Sequence, residues 1–334
     1  MTSAYFEHPI FDTPVTRTYG TKVPIVAGGL QWLANADYVS AAARAGIMGF
    51  ITAASFPEAE DLKAEIERCR ELSDGNPFGV NVSMLPKLVP GEKTADVFRT
   101  IADCGVKFVE TSGRSPEAYL PILKDAGITV LHKVPSLRYA VKAQSVGVDM
   151  VSIVGAECGG HPGMDMIGSM VNAGLADERL TIPWLIGGGI GRGSQLAAAL
   201  VMGASGVVIG TRFLVAEELQ AHPGYKQALI DASELDTALS MTSVRNTVRS
   251  LRNETTETVI QLERDNPEIG IQGLLKHVSG AIGRQAYATG DVSRGILSAG
   301  HALGFVDKVE PLAEIVNRLE ADALGALKRL NTAA

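Results

Sequence analysis

Short apolar runs rich in Val and Ile alternate with amphipathic segments from residue 24 to residue 211. Such runs are typical of buried parallel strands, and each amphipathic segment between them is typical of a helix that ends near a glycine. The eight predicted strands are Pro24–Gly28, Met48–Ala53, Phe78–Ser83, Phe108–Gly113, Thr129–Val134, Met150–Val154, Trp184–Gly189 and Gly206–Thr211.

The predicted helices that follow these strands cover 35–46, 57–72, 97–104, 119–126, 136–146 and 194–202. Regular strand-then-helix units of this kind predict an α/β fold, a (β/α)8 TIM barrel. A doubly wound open sheet is the alternative. It is less favoured because the units are so regular and because no Gly-x-Gly-x-x-Gly follows the first strand.

The regular alternation of predicted strands and helices ends after residue 213. Residues 214–300 contain no clear βα unit and include a long polar run, Thr242 to Arg264, that is predicted to be helical. We therefore predict a barrel over 1–213, a small helical domain over 214–300 that is inserted after the eighth strand and covers the active site, and a C-terminal segment over 301–334 that returns to the barrel as an amphipathic helix.

Composition narrows the class of protein. The chain has 334 residues and a net charge of −7 without a basic run, so nucleic acid is not expected as a partner. Its three cysteines show neither metal-ligand nor disulfide spacing, so no metal site is predicted. No apolar run reaches the ~20 residues of a membrane helix, and no signal-peptide core stands at the N-terminus. We expect a cytoplasmic protein without membrane insertion.

Polar residues and glycines follow nearly every predicted strand. In a TIM barrel the ligands bind at this end of the strands, in the βα loops. The candidate site residues are those of Gly28–Trp32, Asn81–Ser83, Glu110–Ser112, His132–Lys133, Glu157–His161, Gly187–Gly189 and Gly210–Phe213.

Two glycine loops, Gly187–Gly193 and Ile209–Thr211, follow the seventh and eighth predicted strands. Backbone amides at the start of a helix bind phosphate, and these two units are the usual phosphate site of the fold. The alternative is that the glycines only make tight turns. Two such loops in adjacent units favour a phosphate cradle.

The third glycine-rich loop carries His161 between Gly160 and Gly163. An imidazole titrates near neutrality, so His161 is a candidate acid–base group, although a solvated loop histidine is the alternative. Lys133 ends the fifth strand, where a cation suits the N1–C2 carbonyl edge of a reduced flavin; its alternative is a salt bridge. Asn81 and Gln31 carry amides that can bond a heteroaromatic ring edge. Cys158 in the same loop is assigned to packing.

Taken together, these motifs resemble the nitronate monooxygenase family, formerly called 2-nitropropane dioxygenases. The matching stretches are Gly28–Trp32, Phe78–Asn81, Val109–Thr111, His132–Lys133, Glu157–Gly163, Gly187–Gly189, Gly210–Phe213, Val244–Thr247 and Gly283–Gln285. The resemblance implies non-covalently bound FMN. It implies that Gly188, Gly189, Gly210 and Thr211 hold the phosphate, that Gly29, Leu30, Gln31, Asn81, Lys133 and Gly160 contact the cofactor, and that His161 is the catalytic acid–base group beside flavin N5.

The resemblance leaves three reactions open. The first is oxidation of an alkyl nitronate, with O2 reoxidising the flavin. The second is NAD(P)H:quinone reduction, because Gly-Gly-x-Gln-Trp and Glu-Cys-Gly-Gly-His-Pro-Gly resemble a subgroup that reduces quinones with NADH. The third and least favoured is reduction of an enoyl thioester. A flavin-binding protein without turnover is the alternative from another class. Small-molecule substrates are expected throughout, and a homodimer is left open.

Overall fold

A closed barrel of eight parallel strands forms the body of the molecule in the computed structural model, which describes residues 11–84 and 93–333. Strand β1 pairs with β2 on one side and with β8 on the other, which closes the barrel. The strands are β1 (Ile25–Ala27), β2 (Met48–Thr52), β3 (Gly79–Met84), β4 (Phe108–Gly113), β5 (Thr129–Val134), β6 (Met150–Val154), β7 (Trp184–Gly187) and β8 (Gly206–Ile209). The predicted (β/α)8 fold is confirmed.

One helix precedes β1 and the others join successive strands. These helices are α1 (Pro14–Tyr19), α2 (Ala36–Arg44), α3 (Ala59–Leu72), α4 (Thr94–Asp103), α5 (Leu120–Asp125), α6 (Leu137–Val146), α7 (Ser169–Arg179) and α8 (Gly193–Val201). Helix α1 closes the N-terminal end of the barrel, where the buried ring of Tyr19 packs edge-on against Phe50 and Phe108 at 6.2 and 5.0 Å between centroids. Within the described part of the chain, α1 and the rings of Tyr19, Phe50 and Phe108 thus fill this end of the barrel.

The segment after β8 is mixed rather than purely helical. It contains helix α9 (Pro223–Asp231), the antiparallel pair β9 (Thr237–Ser240) and β10 (Val248–Leu251), and helices α10 (Glu254–Asp265), α11 (Gly270–Val278) and α12 (Gly280–Thr289). We call these elements the insert. It has a small core of its own (Met241, Val248, Val259, Leu274), while Leu251, Tyr287 and Leu297 belong to the main core that covers the outside of the barrel.

The prediction of one helix from Thr242 to Arg264 is wrong in its first half, because that part includes strand β10. All four β10 residues are buried, so the segment lacks the alternation of buried and exposed positions by which a surface strand is recognised. Their backbone is paired with β9, and further bridges join Arg249 to Gly160 and Ser250 to Ser298. Helix α10 begins only after Asn253, whose side chain accepts a hydrogen bond from the Thr256 amide.

Helix α13 (Leu312–Ala333) returns to the barrel, as the apolar spacing predicts, and packs against α8. A side chain at Gly193 would stand 1.8 Å from the Leu319 carbonyl oxygen, so only glycine allows this contact. The buried Arg212, just after β8, forms a salt bridge of 2.9 Å to Glu310. No helix within the described residues is long and apolar enough to cross a membrane. The N-terminal residues 1–10, where no signal peptide is predicted, lie outside the described residues.

Candidate active site

A cleft of about 1040 Å³ opens at the C-terminal ends of the strands. Residues that follow all eight strands line it, and the insert contributes the opposite wall. The lining includes Gly29, Leu30 and Gln31 after β1, Thr52, Asn81, Ser112, Lys133, Gly160 and His161 after β6, Gly188 and Gly189 after β7, Gly210 and Thr211 after β8, and Ser279, Gly280 and Tyr287 from the insert. The residues that the resemblance assigns to the cofactor, together with His161, therefore line one cavity. Of the other strand-end candidates, Val82, Glu110, Thr111, Glu157, Gly187, Arg212 and Phe213 do not line it.

A buried carboxylate organises the floor of this cleft. Glu110 is fully buried, and its Oε2 accepts hydrogen bonds from Asn81 Nδ2 at 2.5 Å, Lys133 Nζ at 3.2 Å and the Gly29 amide at 3.3 Å. Glu110 Oε1 has no partner within the described residues. Because the Asn81 amide nitrogen is taken up by Glu110, its carbonyl oxygen remains to accept from a ligand. Lys133 thus forms a salt bridge and also lines the cleft, so the two alternatives considered for this residue, a salt bridge and a cation facing the ligand, are compatible.

The Gly29 position shows how tight this floor is. A Cβ at Gly29 would lie 2.6 Å from Asn81 Cγ, so no other residue fits beside that amide. Leu30 and Gln31 continue from Gly29 along the cleft, and Gln31 is exposed. The next residue, Trp32, adopts a φ of 68° and carries the Arg284 guanidinium 5.0 Å from its ring centroid. This cation–π contact joins α12 of the insert to the loop after β1.

The residues predicted to form the phosphate cradle, Gly188, Gly189, Gly210 and Thr211, all line the cleft. Gly188 and Gly189 have φ values of 98° and 72°, a backbone conformation that favours glycine. Gly210 has a φ of −120°, so it is not strained; a Cβ there would meet only Leu30 at 3.8 Å, in the open cleft. Thr211 Oγ accepts the Gly300 amide at 2.9 Å and keeps its own proton to donate.

The other glycines of the Gly187–Gly193 loop have packing roles. A Cβ at Gly191 would come within 2.5 Å of the Phe305 ring, and Gly193 lies against α13. Gln195 Oε1 accepts from the amides of Gly191 and Arg192, which satisfies donors that a helix start otherwise leaves free. Only Gly188, Gly189 and Ile190 of this loop line the cleft.

His161 is held by the insert. Its Nδ1 lies 3.1 Å from the Thr247 carbonyl oxygen, and since a carbonyl only accepts, Nδ1 carries the proton. The ring is exposed to the cleft but surrounded by protein, and this burial lowers the pKa of His161 while the carbonyls of Asn246 and Thr247 oppose the shift. The imidazole is therefore neutral near pH 7, with Nε2 as an acceptor.

The rest of the glycine-rich loop around His161 is structural. The Gly160 amide and carbonyl are bonded to Arg249 of β10 at 2.9 and 2.7 Å, so Gly160 can offer a ligand only the open space where a Cβ would stand. Glu157 accepts from Ser169 N and Oγ at the start of α7. Burial raises the pKa of the Cys158 thiol to about 12, which excludes a thiolate nucleophile near neutrality and fits its packing role.

The cleft carries an excess of positive charge. Among the described residues, its charged lining consists of Arg114, Lys133, Arg138, Lys142 and Arg245 against one acidic residue, Asp165. Of these cations, Lys133 is paired with the buried Glu110. The whole chain has a net charge of −7, so this polarity belongs to the cleft and not to the general composition. A cavity of this kind favours anionic ligands.

Sequence reasoning assigned no role to two participants. Glu110 stands at a strand end in the sequence, but nothing there indicates that it bonds Asn81 and Lys133. Thr247 is 86 residues from His161 and contributes only a backbone carbonyl, which no sequence pattern could reveal. Arg138 and Lys142 belong to a predicted helix, and their four-residue spacing was the available indication that they share one face.

Comparison with known proteins identifies this chain as an oxidoreductase with a TIM-barrel fold. The model of the nitronate monooxygenase family matches residues 12–322, and the chain belongs to that family. This confirms the resemblance seen in the sequence.

Two relatives are similar over almost their whole length. A probable nitronate monooxygenase of Staphylococcus saprophyticus is 27% identical, with 91% of this chain and 96% of the relative covered. A (3aS,4S,5R,7aS)-5-hydroxy-7a-methyl-1-oxo-octahydro-1H-indene-4-carboxyl-CoA dehydrogenase of Mycobacterium tuberculosis is also 27% identical, with 95% and 97% covered.

Two solved structures share the fold. FabK from Thermotoga maritima has a TM-score of 0.88 at 28% identity, over 97% of this chain and all of that chain. A nitroalkane oxidase from Streptomyces ansochromogenes has a TM-score of 0.79 at 26% identity, over 93% and 98% of the two chains. The chain is thus similar to proteins with different named activities, and family membership alone leaves the substrate open.

Proposed function

We propose that this protein holds FMN non-covalently in the cleft and oxidises an alkyl nitronate, with O2 as the final electron acceptor. The observation that carries the proposal is the neutral His161, fixed through Nδ1 to Thr247, in the same cation-lined cavity as Lys133. A nitronate is an anion, so a positively charged cavity favours it over a neutral quinone.

The cleft fits FMN on features of its own backbone. Gly188 and Gly189 leave their amides unshielded by side chains, Gly210 leaves open space, and Thr211 has a proton to donate, which together suit a phosphate dianion. On the floor, Lys133 provides a cation and Asn81 an acceptor, which suit the polar edge of an isoalloxazine ring. Gly29, Leu30, Gln31 and Gly160 would complete the contacts around the ring.

The cofactor and the residues of the cleft would have separate roles in the reaction. FMN, when bound, would supply the electron acceptor that the side chains of this chain lack. Lys133, held in place by Glu110, stabilises negative charge on the cleft floor. His161 Nε2 is free to take a proton from the carbon acid that gives rise to the nitronate, and the Thr247 carbonyl stabilises the resulting imidazolium through Nδ1–H. Towards the nitronate itself, which is already deprotonated, His161 has a positioning role.

A second candidate is a reaction with a nucleotide-bearing molecule, either NAD(P)H before a quinone or an enoyl thioester. The volume of about 1040 Å³ favours it, since pockets for one drug-sized ligand span roughly 300–1,000 Å³. Relatives with a carboxyl-CoA substrate in their name support the thioester version.

Anaerobic reduction of the bound flavin tests these functions. The purified protein is expected to be yellow and to release FMN, not FAD, on denaturation, because the glycine loops after β7 and β8 suit a single terminal phosphate. Loss of flavin absorbance is then followed after mixing with an alkyl nitronate, NADH or NADPH, and its return is followed after an enoyl-CoA is added to the reduced flavin. Reduction by the nitronate alone supports the proposal, and reduction by NADH or NADPH alone replaces it with the second candidate. Colourless protein that FMN does not reconstitute contradicts both.

A further inference from the structure

The cleft extends beyond the proposed flavin site to the first turns of helix α6. Arg138, Tyr139 and Lys142 line it there, and we call these three residues the α6 rim. Helix α6 follows β5, whereas the phosphate cradle follows β7 and β8, so the rim lies three strands around the barrel from Thr211. A phosphate bound at the loops after β7 and β8 would therefore not pair with the positive charges of the rim.

The rim charges are unfavourable for the helix that carries them. Arg138 and Lys142 are four residues apart and share one face, where like charges repel. Arg138 is also in the first turn of α6, at the positive end of the helix dipole, and no acidic residue stands in that turn. Within residues 11–84 and 93–333 neither side chain forms a salt bridge. Folding alone does not explain this arrangement, and a bound anion would relieve it.

An aromatic ring lies next to Arg138 in the rim. Tyr139 is 47% exposed although it lines a cavity, and the Arg138 guanidinium lies 4.8 Å from its ring centroid. The same guanidinium donates to Tyr139 Oη at 3.1 Å, which orients both groups. Exposed aromatic rings next to cations are suited to stack a base while the cations bind its phosphates.

We propose that the α6 rim is a subsite for the adenosine diphosphate portion of a second ligand, with the phosphates on Arg138 and Lys142 and the adenine on Tyr139. The ligand would enter the cleft from this side and place its other end near His161. This subsite rests on the proposed flavin-dependent function, but it does not require a nitronate as substrate. An adenosine diphosphate portion occurs both in coenzyme A thioesters and in reduced nicotinamide dinucleotides, and the test distinguishes these two kinds of ligand.

The test is anaerobic calorimetric titration of the purified protein, with its flavin reduced beforehand so that no hydride transfer accompanies binding, with coenzyme A, NADH and NADPH. The variants are Arg138→Ala/Lys142→Ala and Tyr139→Leu. The control is Lys107→Ala, since Lys107 is exposed just before β4, at the opposite end of the barrel. We expect the double variant to raise the Kd of a bound probe at least about tenfold, Tyr139→Leu to raise it less, and the control to leave it unchanged.

The pattern of probes identifies the source of the ligand. Tight binding of coenzyme A alone assigns the rim to a thioester, and binding of NADH or NADPH assigns it to a reduced nicotinamide. The proposal is overturned if no probe binds with a Kd below about 1 mM, or if the double variant and Lys107→Ala have the same Kd. It is also overturned if the double variant loses its flavin, because the rim would then hold FMN. Flavin content, measured separately, reports failure of the proposed function.

Discussion

Glu110 Oε2 and Lys133 Nζ lie 3.2 Å apart under the floor of the cleft, with the carboxylate fully buried and the lysine 22% exposed. The same oxygen bonds the Asn81 amide and the Gly29 backbone, so one buried charge fixes three groups that face the ligand. Hydrogen bonds from those three donors offset the desolvation free energy of this buried carboxylate. Loss of any member of the cluster should therefore destabilise the fold.

Replacement of Glu110 by alanine should therefore destabilise the protein. Removal of one partner leaves Lys133 and the Asn81 amide without their acceptor, and we expect a loss on the order of 3 kcal/mol in the free energy of unfolding. Glu110→Gln keeps an acceptor and should lose less. Chemical denaturation measures both. In the matched control, Glu60→Ala breaks an exposed pair with Lys63 and should have no measurable effect. Equal stability of Glu110→Ala and the parent would show that the cluster is not formed.

Gly210→Asp should give folded protein with little or no flavin. The backbone at Gly210 tolerates a side chain, but a carboxylate would project into the space beside Leu30 and repel a phosphate. The flavin-to-protein absorbance ratio and the melting temperature, measured on one preparation, separate loss of cofactor from misfolding. Gly174→Asp adds the same charge on the exposed face of α7, away from the cleft, and should keep its flavin. Normal flavin content in Gly210→Asp would mean that the phosphate binds elsewhere.

His161→Ala should retain flavin but lose turnover by a factor on the order of 10²–10⁴, since the cradle and floor come from other strands. His161→Asn is expected to recover part of the rate if hydrogen bonding alone is needed. The lowered pKa of His161 also sets the pH profile: activity that needs the neutral imidazole should persist to lower pH than for an ordinary histidine and then fall. An unchanged rate of flavin reduction in His161→Ala with every competent donor would rule out the assigned role.

His132 should contribute to acid sensitivity. It is buried behind Lys133, with Nδ1 2.8 Å from Thr111 Oγ, and burial lowers its pKa from 6.5 to about 4. The unfolded chain binds the proton first, so His132 stabilises the fold above about pH 6.5 and this contribution disappears as the pH falls towards 4. The full effect is about 3 kcal/mol. Urea midpoints between pH 4 and 7 should fall less steeply in His132→Gln than in the parent or in His277→Gln. Parallel curves for all three would contradict the assignment.

The sequence by itself determined the barrel and the face on which its ligands bind. Each βα unit is short, so the apolar run, the amphipathic helix and the glycine between them are local features of the sequence. The bounds of β4, β5 and β6 are as predicted, and those of the other strands differ from the prediction by at most two residues. The position of Asn81, Lys133, His161 and the glycine loops follows directly, because the carboxyl ends of all parallel strands in a barrel meet at one rim.

Only the tertiary structure decided how those residues are paired. Glu110 is bonded to groups 23 and 29 residues away, and His161 takes its tautomer from a carbonyl 86 residues away. Strand β10 was hidden for the same reason, since its buried residues are paired with β9 and with Gly160 across the chain. Periodicity reports which face of a segment is apolar, whereas hydrogen-bond partners across the barrel depend on the closed geometry of all eight strands.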